Sequence, residues 1–322
     1  MLLSRSHLPR GCANQATRPC LTHPRRVAWI PKTVASQVEA ATSRSPAEVV
    51  DQILKLVDNS DGGMALADDV KEKVDTLLDQ LEVVGKQQDP RPLSNELLWG
   101  NYNVAYTSTR RAPRQNGQPS GGRFRSSLGR TLFRTTGLFQ SVLKPDVATN
   151  KVAFRLLGVL SGYIGLRGQV LPVGDTGDTV KVLFEPPVLS LGPLHFRIGR
   201  DSDVVLATTY LDERVRIGKG SRGSLFVFTR GGPADEAGMD AVGREATSAG
   251  AAAIASAGFV AAMLGGLALW LQPSLPARIL AGMIWFVCAG ILAVVRGGGL
   301  LRDRDLQAIR AEQAATQPAP HS

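Results

Sequence analysis

The chain has 322 residues, is 43% hydrophobic and 6% aromatic, and carries a formal net charge of +9, which suits one domain of about 150 residues with appendages, or two small domains. Arg5, Arg10, Arg18, Arg25, Arg26 and Lys32 lie in an acid-free stretch at residues 1–38 and take six of the nine net charges with them, leaving +3 for the rest; the basic balance therefore gives no nucleic-acid footprint on a folded domain. Cys12, Cys20 and Cys288 form no Cys-x-x-Cys pair, and His195 stands alone between His23 and His321, so neither a disulfide framework nor a Cys/His metal centre is indicated.

Residues 1–38 are rich in Arg, Ser, Thr and Pro, free of acids and without a continuous apolar core. That pattern predicts an organelle transit peptide rather than a secretory signal. Residues 46–90 read as amphipathic helices. Ser45 and Pro46 suit an N-cap and first helical position, with Glu48 in the first turn. Val49, Val50, Ile53, Leu54 and Val57 make one apolar stripe, and Val70, Val74, Leu77, Leu78 and Leu81 a second, with a break at 58–63. Because acids and lysines share the polar face, a hairpin packed on its own domain is favoured over a membrane-surface helix.

From residue 96 to 230 the periodicity changes to that of strands. Alternating or apolar runs cover 101–108, 151–156, 162–173, 179–185, 188–198, 204–211 and 225–230, with Gly174-Asp-Thr-Gly-Asp178 as a hairpin signal. Many short strands with Gly/Asp turns and no intervening helical period predict an antiparallel sheet. Its length suits a closed barrel of about eight strands, able to enclose one small apolar ligand. Several strands are apolar on both faces, so alternation leaves open which set points inward: Val180, Val182 and Phe184, or Leu206, Thr208 and Tyr210.

Residues 231–245 form a Gly/Ala/Asp-rich linker. The segment 246–296 holds two uncharged apolar runs joined around residues 272–278. Both are long enough to cross about 30 Å of hydrocarbon as helices, which predicts a C-terminal transmembrane helical hairpin. Gly258, Ala262 and Gly266 recur at four-residue spacing and would let the two helices approach closely. Arg244, Arg296, Arg302 and Arg304 flank the outer ends, so both termini are expected on one side of the membrane. A tail follows over 297–322.

Catalytic patterns are weak. Asp212 and Glu213 are adjacent and would point to different sides. Gly218-Lys-Gly-Ser221 lacks the phosphate-loop spacing and a following helix, and Lys219 stands where a nucleophile elbow requires glycine. The expectation is a protein that is not an enzyme and holds no metal or cofactor. An acid-free run between Glu96 and Asp146 contains Arg110, Arg111, Arg114, Arg123, Arg125 and Arg130, a candidate contact with anionic headgroups at a membrane surface.

The stretch Thr209-Tyr-Leu-Asp212, Arg216-Ile217, Gly220-Ser-Arg-Gly223 and Leu225-Phe-Val-Phe228 closely resembles the last motif of the plastid lipid-associated protein family (PAP/fibrillins, or plastoglobulins). Val182-Leu-Phe-Glu-Pro-Pro187 resembles the preceding strand, and Leu98-Trp-Gly-Asn-Tyr-Asn-Val-Ala-Tyr-Thr-Ser108 its first strand. In the family a Trp usually stands two after the Gly; here Tyr102 holds that place, after Trp99 and Gly100. The resemblance, which covers less than half of the chain, implies a lipocalin-like β-barrel. In such a barrel the aromatic near the first strand packs against an arginine of the last strands, a role for Arg216 or Arg222, within a closure motif that includes Asp212, Gly220 and Gly223. The interior would be lined by residues such as Tyr102, Val182, Phe184, Leu206, Thr208, Tyr210, Phe226 and Phe228. The two-helix anchor departs from the usual family pattern.

The resemblance further implies a chloroplast protein associated with thylakoid, plastoglobule or inner envelope, with lipids and the plastid membrane as partners and no nucleic acid. The expected cargo is prenylquinone, tocopherol, carotenoid or galactolipid-type lipid. A second expectation is a solid barrel acting as a scaffold that recruits a prenyl-lipid enzyme to the membrane.

Overall fold

The computed structural model describes residues 44–108, 133–221, 223–298 and 307. The predicted transit peptide, Arg222, and the arginines at 110, 111, 114, 123, 125 and 130 lie outside the described residues. The first helix, α1 (Pro46–Val57), opens with a complete capping box: the Ser45 hydroxyl accepts from the Glu48 N–H, and the Glu48 carboxylate accepts from the Ser45 N–H. Two orphan donors of the first turn are thereby satisfied. The second helix, α2 (Asp68–Gln88), buries Val74, Leu77, Leu78 and Leu81.

Ten strands follow: β1 (Gly100–Ser108), β2 (Phe133–Leu143), β3 (Val147–Leu156), β4 (Leu160–Pro172), β5 (Thr179–Phe184), β6 (Val188–Leu191), β7 (Leu194–Arg197), β8 (Ser202–Leu211), β9 (Val215–Gly220) and β10 (Leu225–Arg230). The sheet order is β3-β2-β1-β10-β9-β8-β5-β4, and β3 pairs with β4 to close the ring. The result is an antiparallel eight-stranded barrel, as the turn spacing predicts. β6 and β7 form a separate hairpin that continues the β4 edge beyond β5. The single run predicted at 188–198 is broken because Gly192, at φ 55, and Pro193 turn the chain back.

Register decides which side chains point inward. Val142 pairs with Ala148, Ala148 with Gly168, and Gly168 with Phe184. On the other side of the ring Tyr102 pairs with Arg230, Phe228 with Arg216, and Leu206 with Gly220. These residues share the inward face, and both alternative sets therefore contribute to it. Arg216 on β9 reaches Gln140 on β2, past the two intervening strands β10 and β1, as only inward-facing groups can.

Tyr210 does not follow the predicted set. A β-bulge between Thr208 and Tyr210 flips the parity. Tyr210 points outward into the cluster that α1 and α2 form with Tyr106, Val215, Ile217, Leu225 and Val227. The same bulge mechanism between Val104 and Tyr106 turns Tyr106 out. Both bulges serve the helices. At Gly85, the last buried residue of α2, a Cβ would stand 2.1 Å from the Thr209 carbonyl oxygen, so α2 seats on β8 only because glycine occupies that position. The helices thus pack on their own domain, the alternative that the mixed-charge polar face favours.

The opposite outer wall is covered by the segment after β10. Lys151 Nζ donates to the Ala237 carbonyl at 2.6 Å, and Arg167 Nη1 to that of Asp240 at 2.8 Å. Arg244 grips Glu185 through both nitrogens at 2.9 and 3.1 Å. The Thr247 hydroxyl accepts the His195 N–H at 2.8 Å. Burial pulls His195 below its ordinary value, while its Nδ1 lies 2.8 Å from the Ser190 hydroxyl.

Two apolar helices complete the described chain: α3 (Ala249–Trp270), N-capped by Ser248, and α4 (Leu275–Gly298), which packs against both α3 and β7. The connection between them is shorter than the sequence suggests, and Arg278 lies in the first turn of α4 rather than in the loop. Gly266 faces Trp285, where a Cβ would meet Nε1 at 2.6 Å, and Trp270 lies against Trp285 with centroids 5.7 Å apart. Gly258 has nothing within 4 Å of a Cβ position, so of the three predicted small residues Gly266 makes the close approach.

Candidate functional site

The barrel has two unlike ends. At the first, where β1, β3, β5 and β9 begin, the interior is filled. Tyr102 is fully buried, and its hydroxyl donates to the carbonyls of Leu97 and Leu98 at 2.7 and 2.9 Å. Arg216 sits against two rings, 4.7 Å from the Tyr102 centroid and 4.3 Å from that of Phe228. It also donates to the Gln140 side-chain oxygen. Arg230 covers the other side of Tyr102 at 5.0 Å, donating to its hydroxyl at 2.9 Å and to the Trp99 carbonyl at 3.0 Å.

Leu98, Val142, Leu93, Trp99, Leu211 and Val104 pack round this stack. Phe226 stacks on Phe228 at 5.8 Å. Gly218 leaves room for the plug, since a Cβ there would lie 3.2 Å from both Leu206 and Phe228.

The electrostatics of the plug are unusual for an apolar barrel. Burial pulls the Arg216 guanidinium down to about 10, with the Arg230 charge acting in the same direction. It remains a cation at neutral pH. Burial likewise raises the Tyr102 phenol, against the two arginines that lower it. The cation is stabilised by two aromatic faces rather than by a carboxylate. Cation–π contacts of this kind are worth about 2 kcal/mol when desolvated. The pairing implied by resemblance therefore exists with Tyr102 in the place of Trp and Arg216 as its partner.

Arg230 is the plug residue that sequence reasoning missed. The signal was available in the alternation Phe226, Phe228, Arg230, which puts all three on one face. Trp99 stays outside the stack and contributes its backbone carbonyl. Asp212 acts elsewhere: its carboxylate accepts from the N–H groups of Arg214 and Val215 at 2.8 and 2.7 Å and so shapes the β8–β9 turn. It also accepts from the Tyr210 hydroxyl at 3.1 Å, and burial, with the Asp212 charge, pushes that phenol up to about 12. Gly223, at φ 79, makes the β9–β10 turn.

Away from the plug the inward face is apolar. Ala148, Val182 and Phe184 form a buried layer with Leu166, Val170 and Val180. Beyond it, Leu138, Val152 and Ile164 share the inward register on β2, β3 and β4 and are only partly buried. The one polar pair in this register is Gln140 with Asn150, joined at 2.9 Å. The barrel interior therefore has an aromatic–arginine floor and hydrocarbon walls, with Phe154 buried in the same inward register toward the other end. Among the described residues no cluster of three His, Cys, Asp or Glu side chains stands at metal-binding distance.

An antiparallel eight-stranded barrel with one arginine-plugged end defines a lipocalin-like fold. Comparison with known sequences specifies it further. The PAP_fibrillin family profile matches residues 187–229. The "Probable plastid-lipid-associated protein 8, chloroplastic" of Arabidopsis thaliana is 36% identical over 207 residues, covering 64% of this chain and 81% of the relative. The chain thus belongs to the plastid-lipid-associated protein (PAP/fibrillin) family, a lipid-associated protein of plastids. No solved structure matches it.

Proposed function

We propose that the protein binds or stores hydrophobic molecules, of the prenylquinone, carotenoid or galactolipid type, while anchored in a plastid membrane, thylakoid or the surface of a plastoglobule. The observation that carries this reading is the barrel's lining: hydrocarbon walls, a sealed floor, and inward residues on β2–β4 that stay partly accessible. Burying a long isoprenoid or acyl chain at about 25 cal/mol per Å² supplies ample driving force.

The anchor reading rests on α3 and α4. The two candidate spans, 22 and 19 residues long, are only 6% and 17% buried within the chain. Apolar surface of that extent needs a cover, and a bilayer provides one. The charges nearest their ends, Arg244, Glu245, Arg278 and Arg296, spare the middle of each span.

The role is binding rather than catalysis. The carboxylates nearest the barrel are committed to structure: Asp75 accepts from Tyr106 and Ser108 at 2.9 and 2.8 Å, Asp212 shapes a turn, and Glu185 is held by Arg197 and Arg244. The test is mass spectrometry of lipids retained by the full chain, purified in detergent after incubation with total plastid lipid. A selective lipid at about one per chain is expected, and Val152→Trp, which fills the barrel interior, should lose it. An empty wild-type barrel that still fractionates with membranes would instead favour the scaffold that recruits a lipid enzyme.

A further inference from the structure

The end of the barrel opposite the floor carries two adjacent hairpin tips, and both are apolar. The β3–β4 turn is Leu156-Leu-Gly-Val-Leu160, and the β6–β7 turn is Leu191-Gly-Pro-Leu194. They are neighbours because Gly162 of β4 pairs with Leu191 of β6. Neither tip contains a charge. In the first, Leu157, Val159 and Leu160 are 65%, 85% and 43% exposed. Three large side chains together at one tip form a patch that water alone does not favour.

The backbone adds a second observation. Leu157 and Gly158 both have positive φ, 52 and 76, and the Val159 N–H closes the turn on the Leu156 carbonyl at 3.2 Å. This is a primed hairpin turn, whose first central position suits Asn, Asp or Gly. A leucine there is strained. Its side chain contributes no packing in return, since it is largely exposed. Strain retained at an exposed apolar residue points to a contact made outside the fold.

A third observation says what that contact is. α3 begins immediately after Thr247, which is hydrogen-bonded to His195, and His195 pairs with Ser190 in the β6–β7 hairpin. α4 packs against β7. The anchor is therefore rooted beside the two tips, with no slack between the clamp and its first turn. Just behind the tip, Arg134 and Arg155 stand directly opposite each other on β2 and β3. Both are exposed, a like-charge pair that anionic headgroups would relieve. Asp201 and Asp203 lie well back, where β8 pairs with the end of β5 beside Gly168.

We infer that the tips at 156–160 and 191–194 insert into the bilayer surface beside the anchor, so that this end of the barrel faces lipid rather than water. This rests on the anchored reading above. Cargo would then enter from the hydrocarbon without crossing the aqueous phase.

The experiment uses the full chain with Cys12, Cys20 and Cys288 replaced by Ala. A single NBD label is placed through Val159→Cys or, as reference, Asp175→Cys in the β4–β5 turn at the floor end. Each protein is reconstituted into vesicles of equal phosphatidylcholine and phosphatidylglycerol. The label at 159 should be quenched by doxyl-labelled lipid, and iodide quenching should be several-fold weaker there than at 175. Equal iodide quenching at both positions, in protein that floats with vesicles and resists carbonate extraction, would overturn the insertion and leave the anchor standing. Protein that does not float with the vesicles would overturn both.

Discussion

The floor and the mouth of the barrel use the same backbone for opposite ends. At the floor every large side chain has a partner: Tyr102 is held by two carbonyls, Arg216 by two rings and an amide, and Arg230 by a hydroxyl and a carbonyl. At the mouth, Leu157 and Val159 lean into solvent on a strained turn. Stability is invested where the chain must close and withheld where it must open. Substitutions at the two ends should therefore move different observables.

The largest effect is expected at Arg216. Its truncation to Ala removes a fully buried side chain and leaves a cavity beside two rings, costing about 3 kcal/mol in chemical denaturation of the detergent-solubilised chain. Arg216→Met restores the volume without the charge and should recover most of that loss, since well-packed apolar replacements of buried charges are often neutral. If Met is as costly as Ala, the floor is held by the cation and the Gln140 amide rather than by packing.

Tyr102→Phe is the next test. It keeps the ring under Arg216 and deletes the hydroxyl that serves Leu97, Leu98 and Arg230. Losing those partners should cost about 1–2 kcal/mol, with lipid retention unchanged because the barrel's hydrocarbon walls are untouched. A loss of bound lipid together with unchanged stability would mean that the hydroxyl faces cargo instead of sealing the floor.

Much of this division was legible in the sequence, at particular residues. The capping box at Ser45, the Gly174–Asp178 turn and the two apolar runs after residue 245 are local signals, and they became a helix start, a hairpin turn and two helices. The Tyr102–Arg216 pairing was legible only through resemblance, because nothing in the spacing of β1 and β9 says that they meet across a ring. What failed to show was parity. One extra residue at the Thr208–Tyr210 bulge sends Tyr210 to the helices, and an alternation count cannot see an unpaired residue. β2 was missed because its basic surroundings drew attention to charge, although Leu138, Gln140 and Val142 alternate inward. The mouth tips were hidden for a different reason: Leu157–Leu160 falls between the predicted strands 151–156 and 162–173, and nothing in Leu-Gly-Val-Leu announces its exposure or positive φ.

Those tips supply the smallest and sharpest contrast. Leu157→Asn places at φ 52 a residue that tolerates the left-handed region, so the fold should gain up to about 1 kcal/mol, read as a raised Tm of the detergent-solubilised chain. The same change removes a leucine from the surface proposed to enter the bilayer. Shielding from iodide of a label at 159 should then weaken even as the protein becomes more stable. A mutation in the floor cannot produce that pair of results, because there packing and function coincide. Should Leu157→Asn destabilise the chain instead, the leucine is packed within the fold in solution and the strain has a structural cause. Stabilisation with unchanged shielding would mean that Val159, Leu160 and the β6–β7 tip hold the insertion without Leu157.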